Sequence, residues 1–99
     1  MSIIDDQWHF VLHHTDEHVR RIAERASRMP GLRELFPYPS LSNLRFSRKT
    51  EYPYDEMPYV LTVKSEPATY EARGPDNRKL AEGNLDVVIA AVWRAIESQ

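Results

Sequence analysis

The chain has no cysteine among its 99 residues and only three glycines. Without cysteine it has no disulfide framework, no thiol nucleophile and no thiolate metal site. The three glycines are not clustered, so the sequence contains no glycine-rich loop that could cradle a phosphate. Thiol catalysis and loop-type phosphate binding are therefore excluded.

The chain also lacks an excess of positive charge and a long apolar run. Its 13 basic and 15 acidic residues give a formal net charge of −2, which disfavours nucleic acid and anionic membranes as partners. The longest apolar run, Val87 to Trp93, is too short to span a bilayer. Acidic residues stand near the N-terminus, where a secretory signal needs lysines and then an apolar stretch. We expect a cytoplasmic protein with no membrane association.

Proline and tyrosine are concentrated between Pro30 and Tyr59, a block with five of the seven prolines and four of the five tyrosines. Prolines fix φ, and tyrosine rings combine an apolar face with a polar hydroxyl. A small fold does not need so much of both for its core alone. We interpret the block as a stiffened connector that presents a preformed docking surface at one end of the fold.

Residues 7–13 fit two patterns. As a half-buried strand they place Trp8, Phe10 and Leu12 on one face, whereas as a helix they leave Phe10 in solvent. Thr15-Asp16-Glu17 is a helix start signal, because a capping residue is followed by acidic residues. We therefore favour a strand over residues 7–13 followed by a helix.

The other elements follow from periodicity and turn chemistry. Pro30-Gly31 ends the first helix, and Pro37-Tyr38-Pro39 forces an extended link. The elements predicted after residue 15 are a helix over Asp16–Met29, a helical turn over Leu32–Phe36, strands over Leu41–Lys49, Tyr59–Lys64, Thr69–Arg73 and Arg78–Glu82, and a helix from Leu85 to Ile96. This order, (β)αββββα, predicts one α+β domain over residues 1–99. It is a two-layer sandwich with an antiparallel sheet of three to five strands and two helices on one face.

Four histidines near the N-terminus are candidate metal ligands: His9, His13, His14 and His18. On a helix they form two i, i+4 pairs that point about 140° apart. On a strand, the first two of them lie roughly 13 Å apart. Neither geometry closes a site, so we predict no bound metal and no cofactor.

Two alternatives assign chemistry to the proline-rich block. Asp55 and Glu56 lie beside three tyrosines, so a small enzyme could use one of them as a general base in a pocket under the 52–59 loop. Ser40, Ser42 and Ser47 lack a glycine elbow and a placed histidine, which leaves a hydrolase triad unsupported. An RNA-binding domain would use a basic and aromatic patch made of Arg45, Arg48, Lys49, Arg73, Tyr52 and Tyr70.

Recognition of a protein or peptide partner has more support. Tyrosine and arginine are enriched at binding hot spots, and a proline-braced loop loses little entropy on binding. The alternative role for the rings is to fill the open end of a small sandwich. We predict a non-catalytic binding module, with dimerisation through a strand edge as a further expectation. Its predicted binding residues are Arg33, Phe36, Tyr38, Arg45, Arg48, Tyr52, Tyr54 and Tyr59.

The block PGLRELFPYPSLSNLRFSRKTEYPYDEMPY, continued by YEARGPDNRKLAEG and an apolar helix, resembles the C-terminal module of a largely actinomycete family. That family is described as "natural product biosynthesis protein", of unknown function, and the resemblance covers roughly residues 18–96. It implies a stand-alone version of the module and an accessory role in such a pathway, with a biosynthetic enzyme as one candidate partner. It implies no catalytic residue.

Overall fold

The computed structural model describes residues 2–98 as helices packed against a sheet. The elements are α1 (Ile3–His13), α2 (Glu17–Ala26), α3 (Pro30–Arg33), β1 (Phe36–Ser40), β2 (Asn43–Ser47), β3 (Tyr59–Ser65), β4 (Ala68–Arg73), β5 (Lys79–Gly83) and α4 (Leu85–Glu97). The strands form one antiparallel sheet in the order β1-β2-β3-β4-β5. The predicted α+β fold is confirmed.

The core lies between the helices and one face of the sheet. Helix α1 packs on β1, α2 on β2 and β3, and α4 on β4 and β5. Alternate strand residues join buried helix residues in one apolar cluster, which includes Trp8, Ile22, Leu44, Phe46, Val60, Ala72, Val88, Ile89 and Val92. The opposite face carries Phe36, Tyr38, Arg45 and Tyr59, and the loop of residues 48–58 lies against it. We call it the loop-side face.

Residues 7–13 are helical, so the strand prediction for them is wrong. Ser2 and Asp5 form a reciprocal capping box at the start of α1, in which the Asp5 amide donates to Ser2 Oγ at 3.0 Å. Trp8 and Val11 then face the core, while Phe10 stays 41% exposed. The helix tolerates one solvent-facing ring because Trp8 gains full burial and donates its Nε1–H to the Leu35 carbonyl at 3.0 Å.

Helix α2 begins one residue later than predicted, because Asp16 and not Thr15 is its cap, and it ends earlier than predicted. Asp16 is the N-cap, accepting a hydrogen bond from the Val19 amide at 3.0 Å. The helix ends at Ala26, and Pro30 opens the short helix α3 instead of only stopping the one before it. Proline suits that position because the first helical N–H has no intrahelical partner.

The predicted extended link at Pro37-Tyr38-Pro39 is a strand paired with β2. The prediction of a strand from residue 41 fails at its start, because Leu41 and Ser42 form the two-residue turn that joins β1 to β2. Leu41 has φ 56°, in the left-handed region that apolar side chains rarely adopt. Glycine and asparagine are the residues that favour such a turn, so the leucine at this position gave no sequence signal for it.

The C-terminal half follows the prediction closely. The turn of residues 74–77 joins β4 to β5, with the Asn77 amide donating to the Gly74 carbonyl at 2.9 Å. Asn84 caps α4 by accepting from the Val87 amide at 3.0 Å. Here the turn and capping residues agree with the apolar periodicity, so the local sequence determines the elements.

Candidate functional site

Aromatic and arginine side chains alternate across the strands of the loop-side face. Tyr38 of β1 lies opposite Arg45 of β2 in the strand register. The Arg45 guanidinium carbon lies 3.8 Å from the centroid of the Tyr59 ring on β3. That cation–π contact and a hydrogen bond of 2.5 Å from the Tyr59 hydroxyl to Asn77 Oδ1 hold the Tyr59 ring in place. Tyr59 is only 4% exposed, so it supports the surface from beneath.

Four rings form a continuous stack from the interior to solvent, which we call the aromatic stack: Phe36, Tyr38, Tyr54 and Tyr52. Phe36 is 5% exposed and lies 5.4 Å from Tyr54, centroid to centroid. Tyr54 stacks on Tyr38 at 4.4 Å and meets Tyr52 edge-on at 6.1 Å. Tyr52 is 85% exposed. The exposed Tyr52 ring is thus connected through Tyr54 to the buried Phe36 ring, and Tyr38 stacks on the same central ring.

The loop that carries Tyr52 and Tyr54 is closed by what we call the Asp55 network, made of Ser47, Arg48, Lys49 and Asp55. The amides of Arg48 and Lys49 donate to Asp55 Oδ2 at 2.8 and 3.3 Å. Ser47 is fully buried. Its Oγ donates to the same carboxylate oxygen at 3.3 Å and accepts from the Lys49 and Asp55 amides at 3.0 Å each. The network joins the end of β2 to the loop.

These hydrogen bonds favour the charged form of Asp55 and lower its pKa. Donation from the Arg48 backbone amide is the main cause that lowers the pKa of Asp55, with further lowering from the Lys49 amide, the Ser47 hydroxyl and the Lys49 charge. Burial opposes this shift but does not overcome it. A general base in a dry pocket needs the opposite, a raised pKa and a free oxygen aimed at substrate. Asp55 is arranged to hold the loop.

A surface groove of about 350 Å³ runs beside the aromatic stack. We call it the tyrosine groove. Its walls combine apolar rings, hydroxyl donors, one guanidinium and one carboxylate, contributed by Tyr38, Ser40, Arg45, Tyr52, Pro53, Tyr54 and Glu56. Tyr52 and Pro53 also line a second groove, together with Arg48, Lys49 and Glu51, so these two residues are shared by both grooves.

The structure brings together half of the predicted binding residues in the tyrosine groove: Tyr38, Arg45, Tyr52 and Tyr54. Phe36 and Tyr59 support the groove from below, and Arg48 lines the second groove beyond Tyr52. Arg33 lies apart, since its guanidinium lies 5.4 Å from the centroid of the Trp8 ring and 3.3 Å from Asp5 on α1.

Three groove residues, Ser40, Pro53 and Glu56, are absent from the predicted binding residues, and Glu56 was predicted only as an alternative general base. Ser40 follows Tyr38 by two positions, so strand alternation places both on one face. That signal was available, but it required the link after Phe36 to be recognised as a strand. Pro53 lies between two tyrosines that do line the groove.

The predicted RNA-binding patch does not assemble as one surface. Tyr70 is buried in the core cluster. Arg73 forms an ion pair with Glu71, in which Arg73 Nη2 donates to Glu71 Oε1 at 2.7 Å.

The four candidate histidines also lack a third metal ligand within the described residues. The rings of His9 and His13 are 4.5 Å apart, yet within residues 2–98 no group of three or more potential ligands is placed to hold a metal ion.

None of the helices between residues 2 and 98 combines the length and apolar character that crossing a bilayer requires. A family model described as "Family of unknown function (DUF6193)" matches residues 2–97, nearly the whole chain. No curated protein and no solved structure matches the chain.

Proposed function

Because the chain belongs to the family of unknown function DUF6193, we propose its function from its own geometry: it is a non-catalytic binding module that recognises a protein or peptide partner at the tyrosine groove. The position of Tyr52 carries this proposal. Its ring is 85% exposed, yet it rests edge-on against a supported neighbour. Tyrosines in such positions serve as binding hot spots because they bury a large amphipathic area with little loss of side-chain freedom.

Preorganisation supports the same conclusion. Phe36 anchors the aromatic stack from the interior, and the Asp55 network fixes the loop at the end of β2. A partner therefore meets a surface whose ordering has already been completed during folding, so less affinity is lost to immobilising it.

Catalysis by the same loop has less support. The lowered pKa of Asp55 and its three donors match a structural carboxylate. Glu56 is exposed on the rim of the groove, whereas a general base needs a site shielded from water. RNA binding is also less supported, because the patch loses Tyr70 to the core and the chain is net negative.

We further propose that the partner belongs to a biosynthetic pathway, as an enzyme or a peptide substrate that the module helps to present. The resemblance of the block from Pro30 to Tyr59 to a module described in connection with natural product biosynthesis supports this association. The groove and the resembling block coincide, since all seven groove residues lie in the block from Pro30 to Tyr59.

The test is a selection that does not assume a partner. A random peptide library displayed on phage is selected on the immobilised protein, and the selected peptides are titrated against the wild type and Tyr52→Ala. We expect Tyr52→Ala to weaken binding at least about tenfold, equivalent to about 1.4 kcal/mol. Its melting temperature should match the wild type because the ring is exposed.

Phe10→Ala is the matched control, since Phe10 is also an exposed ring but lies on α1, which packs on the opposite face of the sheet. It should bind the selected peptides as the wild type does. Selected peptides that bind the wild type and Tyr52→Ala equally, or a selection that yields no binder, would contradict the proposed function.

A further inference from the structure

We propose that the tyrosine groove recognises a proline-rich segment in the polyproline II conformation that carries a basic residue. This inference rests on the proposed function and specifies the chemistry of the partner. It follows from three features of the groove: a strand edge that is closed to pairing, a set of aromatic walls with hydrogen-bond donors, and an unpaired carboxylate at the rim.

The groove adjoins β1, an edge strand of the sheet. In a two-residue hairpin the pair next to the turn, Ser40 and Asn43, is hydrogen-bonded, and bonded and non-bonded pairs then alternate along the strands. Pro37 and Pro39 fall in the non-bonded pairs, so their nitrogens face the open edge of β1. They have no N–H to donate, which prevents a peptide from pairing there as a sixth strand.

A partner at this groove must therefore be held by side chains. A polyproline II segment fits, because it makes no backbone hydrogen bonds of its own and leaves its carbonyl oxygens exposed. The groove offers donors for such oxygens in the hydroxyls of Ser40 and Tyr52. The tyrosine rings offer flat apolar surfaces on which pyrrolidine rings can pack, and such segments dock in aromatic-lined grooves in several domain classes.

The carboxylate at the groove indicates that the partner segment also carries a basic residue. Arg45 is occupied by its contact with the Tyr59 ring, 3.8 Å away. Among the residues that the structure describes, Glu56 forms no ion pair, and it is exposed on the groove wall. An arginine or lysine flanking the prolines would meet this carboxylate and fix the direction of the bound segment.

The probes are fluorescein-labelled polyproline peptides with one arginine at either end, read by fluorescence anisotropy. Peptides of equal length with glutamate in place of the arginine, and a Gly-Ser peptide with the same arginine, are the controls. We expect one of the arginine-bearing polyproline peptides to bind the wild type at least about tenfold more tightly than either control. Tyr52→Ala should lose this binding, Glu56→Gln should keep binding but lose the preference for arginine over glutamate, and Phe10→Ala should behave as the wild type.

Equal binding of the polyproline and Gly-Ser peptides, or an unchanged arginine preference in Glu56→Gln, would overturn the inference. The phage selection separates this failure from failure of the proposed function. Selected peptides that lack proline but depend on Tyr52 overturn the polyproline assignment and leave the binding module intact. Selected peptides that are rich in proline and basic residues and depend on Tyr52 support both.

Discussion

Replacing Asp55 with alanine removes the carboxylate on which the Asp55 network depends. The hydrogen bond from the Arg48 amide is short, at 2.8 Å, and a bond to a charged acceptor contributes roughly 1.5–3 kcal/mol to stability. The Asp55 side chain is 28% exposed, which favours the lower half of that range. The Lys49 amide adds little, because its bond to Asp55 is 3.3 Å long and Ser47 Oγ also accepts from it.

We therefore expect Asp55→Ala to lower the free energy of unfolding by about 2 kcal/mol. For a chain of this size that corresponds to a melting temperature lower by roughly 8–16 °C. The measurement is urea denaturation followed by tryptophan fluorescence, together with hydrogen exchange at the Arg48 and Lys49 amides. Those two amides should exchange faster than in the wild type, since their acceptor is gone.

Asp76→Ala is the matched control. Asp76 also accepts a backbone hydrogen bond in a turn, from the Arg78 amide at 3.1 Å, but this single bond is exposed. Its loss should cost about 0.5–1 kcal/mol. An Asp55→Ala cost equal to or below the Asp76→Ala cost, with unchanged exchange at the two loop amides, would refute the role assigned to the network.

The role of Asp55 can also be tested through the pH dependence of the stability that its carboxylate contributes. Its pKa is lower in the folded protein than in the unfolded chain, chiefly because the Arg48 amide donates to the carboxylate. Its stabilisation is therefore complete above the unfolded pKa of about 3.9 and is lost as the pH falls through the lower folded pKa. The difference in unfolding free energy between the wild type and Asp55→Asn should shrink as the pH falls below about 4. A difference that stays constant would contradict this pKa direction.

Three further substitutions test the supports of the fold and of the groove, each by denaturant unfolding. Trp8→Phe loses a buried indole hydrogen bond and part of the ring volume, and we expect a cost of about 2–3 kcal/mol; a cost below about 0.5 kcal/mol would contradict that role. Gly31→Ala should cost about 1–3 kcal/mol because a Cβ at Gly31 would lie 2.1 Å from Trp93 ring carbons. Most of that cost should vanish in a Trp93→Leu background. Arg45→Met keeps the apolar stem but removes the cation over Tyr59, and should cost about 1 kcal/mol, recovered as coupling in a double-mutant cycle with Tyr59→Leu.

The local sequence predicted those elements whose ends carry their own signals. Asn84 caps α4 where expected, Asp16 caps α2 one residue after the predicted cap Thr15, and the turn of residues 74–77 forms with Asn77 at φ 68°. The start signal for residues 7–13 lies upstream of them, in the capping box of Ser2 and Asp5, and the periodicity within residues 7–13 alone did not decide between strand and helix. The choice between strand and helix there depends on Trp8, whose partner, the Leu35 carbonyl, lies 27 residues away. Short periodic patterns cannot reveal a contact at that distance.

Strand β1 was missed for a related reason. Two prolines in five residues argue against a strand, because proline cannot donate to its neighbour. They are accommodated here because β1 is an edge strand and both fall where the N–H would face away from β2. Whether a strand lies at the edge depends on how the whole sheet is paired, and a local sequence pattern does not contain that information.

The candidate site was predictable in composition but not in arrangement. The sequence identified Tyr38, Tyr52 and Tyr54 as surface rings, and the structure places all three on the groove. It could not separate them from Tyr59, whose ring is covered by an arginine from the neighbouring strand. Nor could it assign Asp55, because the donors that hold its carboxylate come from the end of β2.

The most direct test of a preformed docking surface on the loop-side face is a chemical-shift map. Labelled protein is titrated with a peptide from the phage selection, and amide shifts are followed by two-dimensional NMR. We predict that the perturbed amides cluster at residues 38–45 and 52–56, with the helices α1 and α4 unaffected. Perturbations confined to the helices or to β5 would contradict the account.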